Sequence, residues 1–444
     1  MRRTDMIYSQ LRIGVIALLM CALAVLPARA ASTTAQNDAL TEMQQKLDQS
    51  LQAIKTLEER VKQLEGKVAE GAAAPVAANP PAAEPARLEV DEQKLEQLER
   101  ANASRNTDDT GLPLHGFADV GAGTHNPINK DLEGFYVGNL DFYLVPHLGD
   151  RTRALFEMNT EVGSDGTVTV DLERAQIGYQ FSDLATVWLG RFHTPYGYVN
   201  TALHHGAWVN NSLRRPKFLQ FEDNGGILPA HTVGLWTTGS VHSGAGRILY
   251  DAYVGNAQHI TNGVLDQGNA GFGDNEWIGG GRIGYQLNEG ALDGLTFGAH
   301  AFTARVTADA TANQLASIIN VLVYGGYAVY DTDQWENIAE FYLFDDDDRT
   351  FGTGTHTSNA EFVQLGYRTP WGMPYARYER TEFDQNDPYF YAQTSGGSYD
   401  RAALGVRFDI DLKSAIKFEF AETRQTDRAR EQFGEGLVQY AIRF

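Results

Sequence analysis

Cysteine is almost missing from this chain: there is one in 444 residues, Cys21. No disulfide, zinc–thiolate or iron–sulfur site can be built from it. Positive charge is also scarce. Lys and Arg number 36 against 57 Asp and Glu, for a formal net charge of −21. Without a basic excess there is nothing to neutralise phosphates, which excludes a nucleic-acid partner. Long apolar runs are absent beyond residue 26, and mean hydropathy is −0.34. That excludes a bundle of membrane-crossing helices. What is plentiful is glycine, at 45 residues, with 20 Tyr and 22 Phe. Glycine and aromatics over short alternating segments suit an all-β fold.

Residues 1–30 read as a secretory signal. Arg2, Arg3 and Arg12 precede an apolar core from Gly14 to Leu26, and Ala28-Arg29-Ala30 predicts cleavage after Ala30. The apolar run is short for a membrane anchor. Cys21, preceded by Met20 and followed by more apolar core, is a poor acylation site. With the leader removed no cysteine is left to mispair in an oxidising periplasm.

Residues 31–70 carry heptads. Leu40, Leu47, Ile54, Val61 and Val68 fall at one position, and Met43, Ser50, Leu57 and Leu64 three residues later. The seam is narrow, which predicts a self-associating coiled coil rather than a helix packed on a core. Ile and Val at the first position with Leu at the second lean towards two strands, and three stay open. An Ala/Pro-rich linker with one short helix follows over 71–111.

Residues 112–444 alternate. Ala154, Phe156 and Met158 oppose Arg153, Glu157 and Asn159, and Ile416, Phe418 and Phe420 oppose Lys417 and Glu419. The pattern segments into about sixteen strands, and the connections sort into short and long sets by turns. Lipid-facing apolar residues alternating with a polar lumen, and short turns at one end only, predict a transmembrane antiparallel β-barrel. The fold class is therefore all-β, preceded by a periplasmic α-helical coiled coil. The last strand ends on Phe444, behind Val438, Tyr440 and Ile442 on one face. This resembles the terminal strand of bacterial outer-membrane barrels, which implies that Phe444 is an assembly signal read by the barrel assembly machinery.

One connection is long and apolar. Residues 195–230 include Trp208, Leu213, Phe218, Leu219 and Phe221, too many to float in water. A loop folded inward onto the lumen wall satisfies both facts. It resembles the third loop of trimeric general porins. Gly190-Arg-Phe192-His-Thr-Pro195-Tyr-Gly197 also resembles the G-x-F-x-x-P-x-G turn of porins in the phosphate-selective porin O/P-like group. Within that neighbourhood the coil is similar to that of dicarboxylate-channel porins. The resemblance implies a Gram-negative outer-membrane porin that assembles as a homotrimer and lets small hydrophilic solutes diffuse passively.

Candidate constriction and selectivity residues are His204, His205, Arg214, Arg215, Lys217, Glu222 and Asp223. Arg153, Arg174, Arg282 and Arg407 are candidate basic wall positions, among acids that include Asp119, Asp141, Glu157, Asp251, Glu340, Glu361 and Asp409. Charges at a constriction set ion preference more than net charge does. No dense basic ladder is present, so phosphate specificity is not expected, and a mild preference for small organic anions is. The bland alternative is that these charges only wet the lumen.

Other signals are weaker. Adjacent His204 and His205, with no carboxylate at helical spacing, do not predict a metal. The four aspartates at 345–348 read as a solvated tip of an outer loop, within reach of lipopolysaccharide. Gly279, Gly280 and Gly281 read as a bend or bulge. Ser240, His242 and Ser243 lack a placed acid, so no enzyme and no cofactor is expected. The rival readings are an outer-membrane hydrolase, and a plugged barrel whose coil tethers it to peptidoglycan.

Overall fold

The computed structural model describes residues 114–124, 133–146, 148–163, 165–182, 184–204, 207–222, 224–266, 276–310, 315–427 and 432–444. The leader, coil and linker expected over 1–111 lie outside the described residues, as do His205 and Asp223.

Each alternating run forms a strand. In chain order these are β1 (Leu114–Gly123), β2 (Gly134–Leu144), β3 (Thr152–Val162), β4 (Val168–Ser182), β5 (Ala185–His193), β6 (His231–Ser243), β7 (Gly246–Asn256), β8 (His259–Thr261) and β9 (Val264–Leu265). There follow β10 (Trp277–Leu287), β11 (Leu295–Ala308), β12 (Ser317–Asp331), β13 (Trp335–Asp348), β14 (Gly354–Tyr367), β15 (Met373–Glu382), β16 (Tyr399–Asp411), β17 (Ser414–Gln425) and β18 (Gln432–Arg443). Among the described residues, sixteen of them form one closed antiparallel barrel. Each pairs with its chain neighbour, β7 pairs with β10, and β1 closes onto β18. The two short strands β8 and β9 form a hairpin inside the connection between β7 and β10. At the seam Val120 lies opposite Tyr440 and Ala118 opposite Ile442. Among the described residues, closure leaves none of the sixteen barrel strands as a free sheet edge.

The two faces of the sheet are inverted relative to a water-soluble barrel. Leu189, Leu404, Phe418, Phe420 and Tyr440 are exposed on the outside, while Glu157, Glu379, Lys417 and Gln439 are buried inside. A continuous apolar exterior is a liability in water and a requirement in a bilayer. Aromatic rings gather at the end with the short turns: Tyr179 with Phe181 at 4.9 Å, Trp335 with Tyr367 at 4.7 Å, and Phe142 with Phe444 at 6.0 Å. Such belts sit where apolar surface gives way to water.

Three local expectations are corrected. The glycines at 279–281 lie in an unbroken ladder, paired on both sides without a register shift. They make room rather than a bend: a Cβ at Gly280 would run into Phe302 and the Tyr253 hydroxyl. The four aspartates at 345–348 finish β13 instead of tipping a loop. Asp346 is fully buried, and Asp348 accepts from the amides of Thr350 and Phe351 and turns the chain. Glu361 is not on the lumen wall. Phe362 and Gln364 point inward, so Glu361 shares the outward face with Val363 and lies opposite Arg380.

Candidate functional site

The loop between β5 and β6 starts from a constrained root. Gly190 and Gly197 both have positive φ, +131° and +56°. A Cβ at Gly190 would strike the Ala175 carbonyl, and one at Gly197 would strike Glu340 and the Tyr342 hydroxyl. Only glycine suits both positions. Between them Phe192 is fully buried and packs on Trp236 at 5.6 Å. The root is tied across by Thr194 N–H to the Ala230 carbonyl at 2.9 Å, and by the Asn200 side-chain amide to the carbonyls of Thr194 and Ala230, both at 3.0 Å.

The chain then turns inward. One helical turn, Val199–Ala202, has its first amides held by the wall: Tyr198 N–H and Val199 N–H donate to Glu340 Oε1 at 2.8 and 2.7 Å. Arg282, paired with Asp251 at 2.8 Å, donates to the Gly197 carbonyl at 2.7 Å and to Thr201 Oγ1 at 2.8 Å. Below this, Tyr196, Val199, Phe218, Leu219, Ile227 and Leu228 are buried against Phe302, Val323, Tyr342, Phe344 and Phe362 of β11 to β14. The loop therefore fills one side of the lumen with an apolar core. Burying such side chains stabilises by about 1.5–3 kcal/mol each, which explains why a connection of this length stays folded.

The loop also crosses the barrel. Trp208 and Val209 reach Phe117, Tyr143 and Leu155 on β1 to β3. Arg407 stacks on Trp208 at 4.6 Å and donates to the Asn210 carbonyl at 3.1 Å, and Lys417 donates to the carbonyls of Ala207 and Ser212. On the return leg Leu213 N–H donates to the Tyr375 hydroxyl at 3.2 Å, Lys217 N–H to Glu379 Oε2 at 2.6 Å and Phe218 N–H to the Tyr399 hydroxyl at 3.0 Å.

Between the loop and the wall of β1 to β4, β16 and β18 lies a cavity of about 350 Å³. Its charged lining comprises Arg214, Arg215, Lys217 and Arg401 against Asp119, Glu161 and Glu435, four cations to three anions. Most are paired. Arg214 meets Glu435 at 3.0 Å, and Arg401 meets Glu435 at 2.5 Å, Glu379 at 3.5 Å and Glu419 at 3.8 Å. Arg377 joins them through Glu379 at 2.9 Å. Burial pulls Lys217 down to about 8, with Glu379 opposing that fall. Arg215 donates to Asn200 Oδ1 at 2.8 Å and stacks over Phe221 at 4.6 Å.

The sequence-derived candidates thus separate. Arg214, Arg215, Lys217 and His204 line the cavity. Glu222 lies at the root, fully buried, accepting from Ala230 N–H at 2.7 Å, and burial raises its carboxyl to about 7. Among the wall arginines, Arg174 pairs with Glu157, Arg282 and Arg407 are engaged by the loop, and Arg153 bonds Gln180 at 2.8 Å near the short turns. The sequence reading passed over Arg377, Arg401, Glu379 and Glu435. Strand parity carried the signal, since each sits at an inward position. His193 and His231 were also passed over. They lie beside His204 in the fold, 11 and 27 positions away in the chain.

No family model matches the chain, and no curated protein does. Solved structures do. An anion-selective porin from Comamonas acidovorans is 13% identical, with 75% of this chain and 98% of that one covered and a TM-score of 0.49. OprB of Pseudomonas putida, in a high-pH structure, is 11% identical over 78% and 97%, at 0.48. Salmonella typhi OmpF in complex with daunomycin is 14% identical over 75% and 97%, at 0.44. The strand count and closure given above come from this chain's own pairing.

Proposed function

We propose that the protein is an outer-membrane porin, a passive diffusion channel for small hydrophilic solutes with a mild preference for small organic anions. One observation carries this: a closed barrel with an apolar exterior holds a folded-in loop that leaves a charged cavity along one wall. The four-to-three balance of cations to anions supports weak rather than strong anion preference, because charge at a constriction decides which ions enter. The Gly190 to Gly197 motif, with both glycines at positive φ, supports a place near the phosphate-selective porin O/P-like group, with dicarboxylate-channel porins nearest. The homotrimer rests on that resemblance, and the periplasmic coil on the heptads at 31–70. The exposed pair of Arg349 and Asp347 at the long-loop end is where lipopolysaccharide would meet the protein.

Planar-bilayer recording tests the reading. Discrete steps and a reversal potential displaced towards the anion in a salt gradient are expected. Arg214→Ala with Arg215→Ala should reduce that displacement. Absence of steps in the intact chain, with steps appearing once Trp208 and its neighbours are removed, would support the plugged barrel instead. Migration of the unheated protein as a species of three chains tests the trimer separately.

A further inference from the structure

Strand β5 ends on His193 and β6 begins on His231, and the two are direct cross-strand partners. The turn at Val199–Ala202 brings His204 over them. Its ring stacks on His193 with centroids 3.4 Å apart and meets that of His231 at 76° and 4.6 Å. All three side chains are buried, and each offers a nitrogen within 4.8 Å of the others. A carboxylate joins them from β4. The register between β3 and β4 passes from Arg174 to Leu172 and skips Glu173, a bulge that turns this side chain into the lumen. Glu173 Oε2 stands 2.7 Å from His231 Nε2.

The tautomers follow from the neighbours. His204 Nδ1 lies 2.7 Å from the Asn200 carbonyl, with the Arg215 guanidinium at a longer 3.3 Å; the shorter contact assigns the hydrogen to Nδ1, so Nε2 of the neutral ring presents a lone pair. That lone pair faces His231 Nε2 at 2.8 Å, and the same nitrogen faces the Glu173 carboxylate. Nitrogens of three buried imidazoles thus lie together, with a carboxylate against one of them.

We propose that this cluster binds a divalent late first-row transition metal, Cu²⁺, Ni²⁺ or Zn²⁺, through one ring nitrogen each of His193, His204 and His231, with the Glu173 carboxylate beside His231. Imidazole nitrogen is a ligand these ions take. Donors about 2.0 Å from an ion and at right angles to each other lie about 2.8 Å apart, which matches the separation of His204 Nε2 and His231 Nε2. The contact from His204 Nδ1 to a carbonyl is the kind of outer partner that holds a ligating histidine in orientation. Because His204 also borders the cavity, an ion reaches the site from the lumen. Bound there, it would join both ends of the loop to its interior.

The test uses the full chain, purified, stripped with a chelator, then dialysed against CuCl₂ and separately against ZnCl₂. About one ion per chain is expected by elemental analysis, with nitrogen hyperfine structure in the Cu²⁺ electron paramagnetic resonance spectrum. Glu173→Gln should weaken binding at least about tenfold, and His204→Ala should abolish it. Heat-modifiable gel mobility confirms that each variant keeps its barrel, and Glu173→Gln, isosteric, serves if His204→Ala does not fold. Equal metal content in intact and variant barrels would overturn the proposal. So would no retained metal in the intact chain, which would leave a histidine network sharing a proton.

Discussion

Lys217 and Tyr399 form a cation–π pair: the ammonium lies 4.6 Å from the ring centre, while the Tyr399 hydroxyl accepts from the amide of Phe218, the next residue. The wall thus fixes the position of a lysine that borders the cavity. Glu379, Arg401, Glu435 and Asp427 also act on it, and burial dominates, giving a value of about 8. A lysine is cationic below its pKa and neutral above it. Anion preference should therefore fall as pH rises from about 7 to about 9, a unit either side. Reversal potentials across that range check this, and Lys217→Met should flatten the dependence. An equal slope in the variant would assign the titration elsewhere.

Arg401 holds three glutamates, Glu379, Glu419 and Glu435, and is itself 4% exposed. Removing it leaves these buried carboxylates short of a partner. Breaking a buried pair from one side costs about 3–5 kcal/mol. Arg401→Ala should lower the barrel's unfolding free energy, read by urea titration, by that amount, far more than Arg380→Ala on the outer face, whose ion pair with Glu382 is worth about 0–1 kcal/mol.

Glu340 accepts from two loop amides with one carboxylate oxygen. Glu340→Gln keeps the shape and removes the charge, at a cost of about 1–3 kcal/mol to the docked loop. Noisier single-channel currents and faster proteolysis within 195–230 are expected, with the barrel's gel mobility unchanged.

Gly190→Ala combines a positive φ with a collision against the Ala175 carbonyl. The backbone alone costs about 1–2 kcal/mol. Folded barrel in the membrane fraction should drop sharply. Gly290→Ala, also at positive φ but with open space around it, should lose only the backbone part.

Phe444 closes the seam: its amide donates to the Gly116 carbonyl at 3.0 Å, and its own carbonyl accepts from Gly116 N–H at 3.1 Å. Replacing Phe444 by Ala should slow assembly in cells more than it lowers the stability of barrel already formed. Pulse-chase folding compared with denaturant unfolding separates the two effects.

Much of the barrel was legible because period-two alternation is local. The run from 231 to 243 is visible in Val233, Leu235 and Val241, and β6 occupies those residues. The inward loop was legible from composition, since Trp208 and Phe218 need cover. Which loop residues face the cavity was not. Glu222 and Lys217 look equivalent in the chain, yet one lies under the root and the other at the lining, because long-range packing on β11 to β14 sets the loop's roll. The histidine cluster was hidden for a related reason. His193 and His231 become neighbours only through strand pairing, and Glu173 joins them through a bulge that breaks the very alternation used to read the strand.

The loop's apolar core divides the barrel wall into two arcs with different obligations. Strands β5 to β14 are bound to it by shape, so a change of volume at Phe302 or Tyr342 disturbs the fold. Strands β1 to β4, with β16 and β18, meet the cavity mainly through polar side chains, several of them ion-paired, and touch the loop's apolar residues at Phe117, Tyr143 and Leu155. Substitutions at lining positions outside the ion-paired set around Arg401 change the cavity while leaving the first arc to hold the cylinder round. A barrel built this way can change its lining by drifting along one wall.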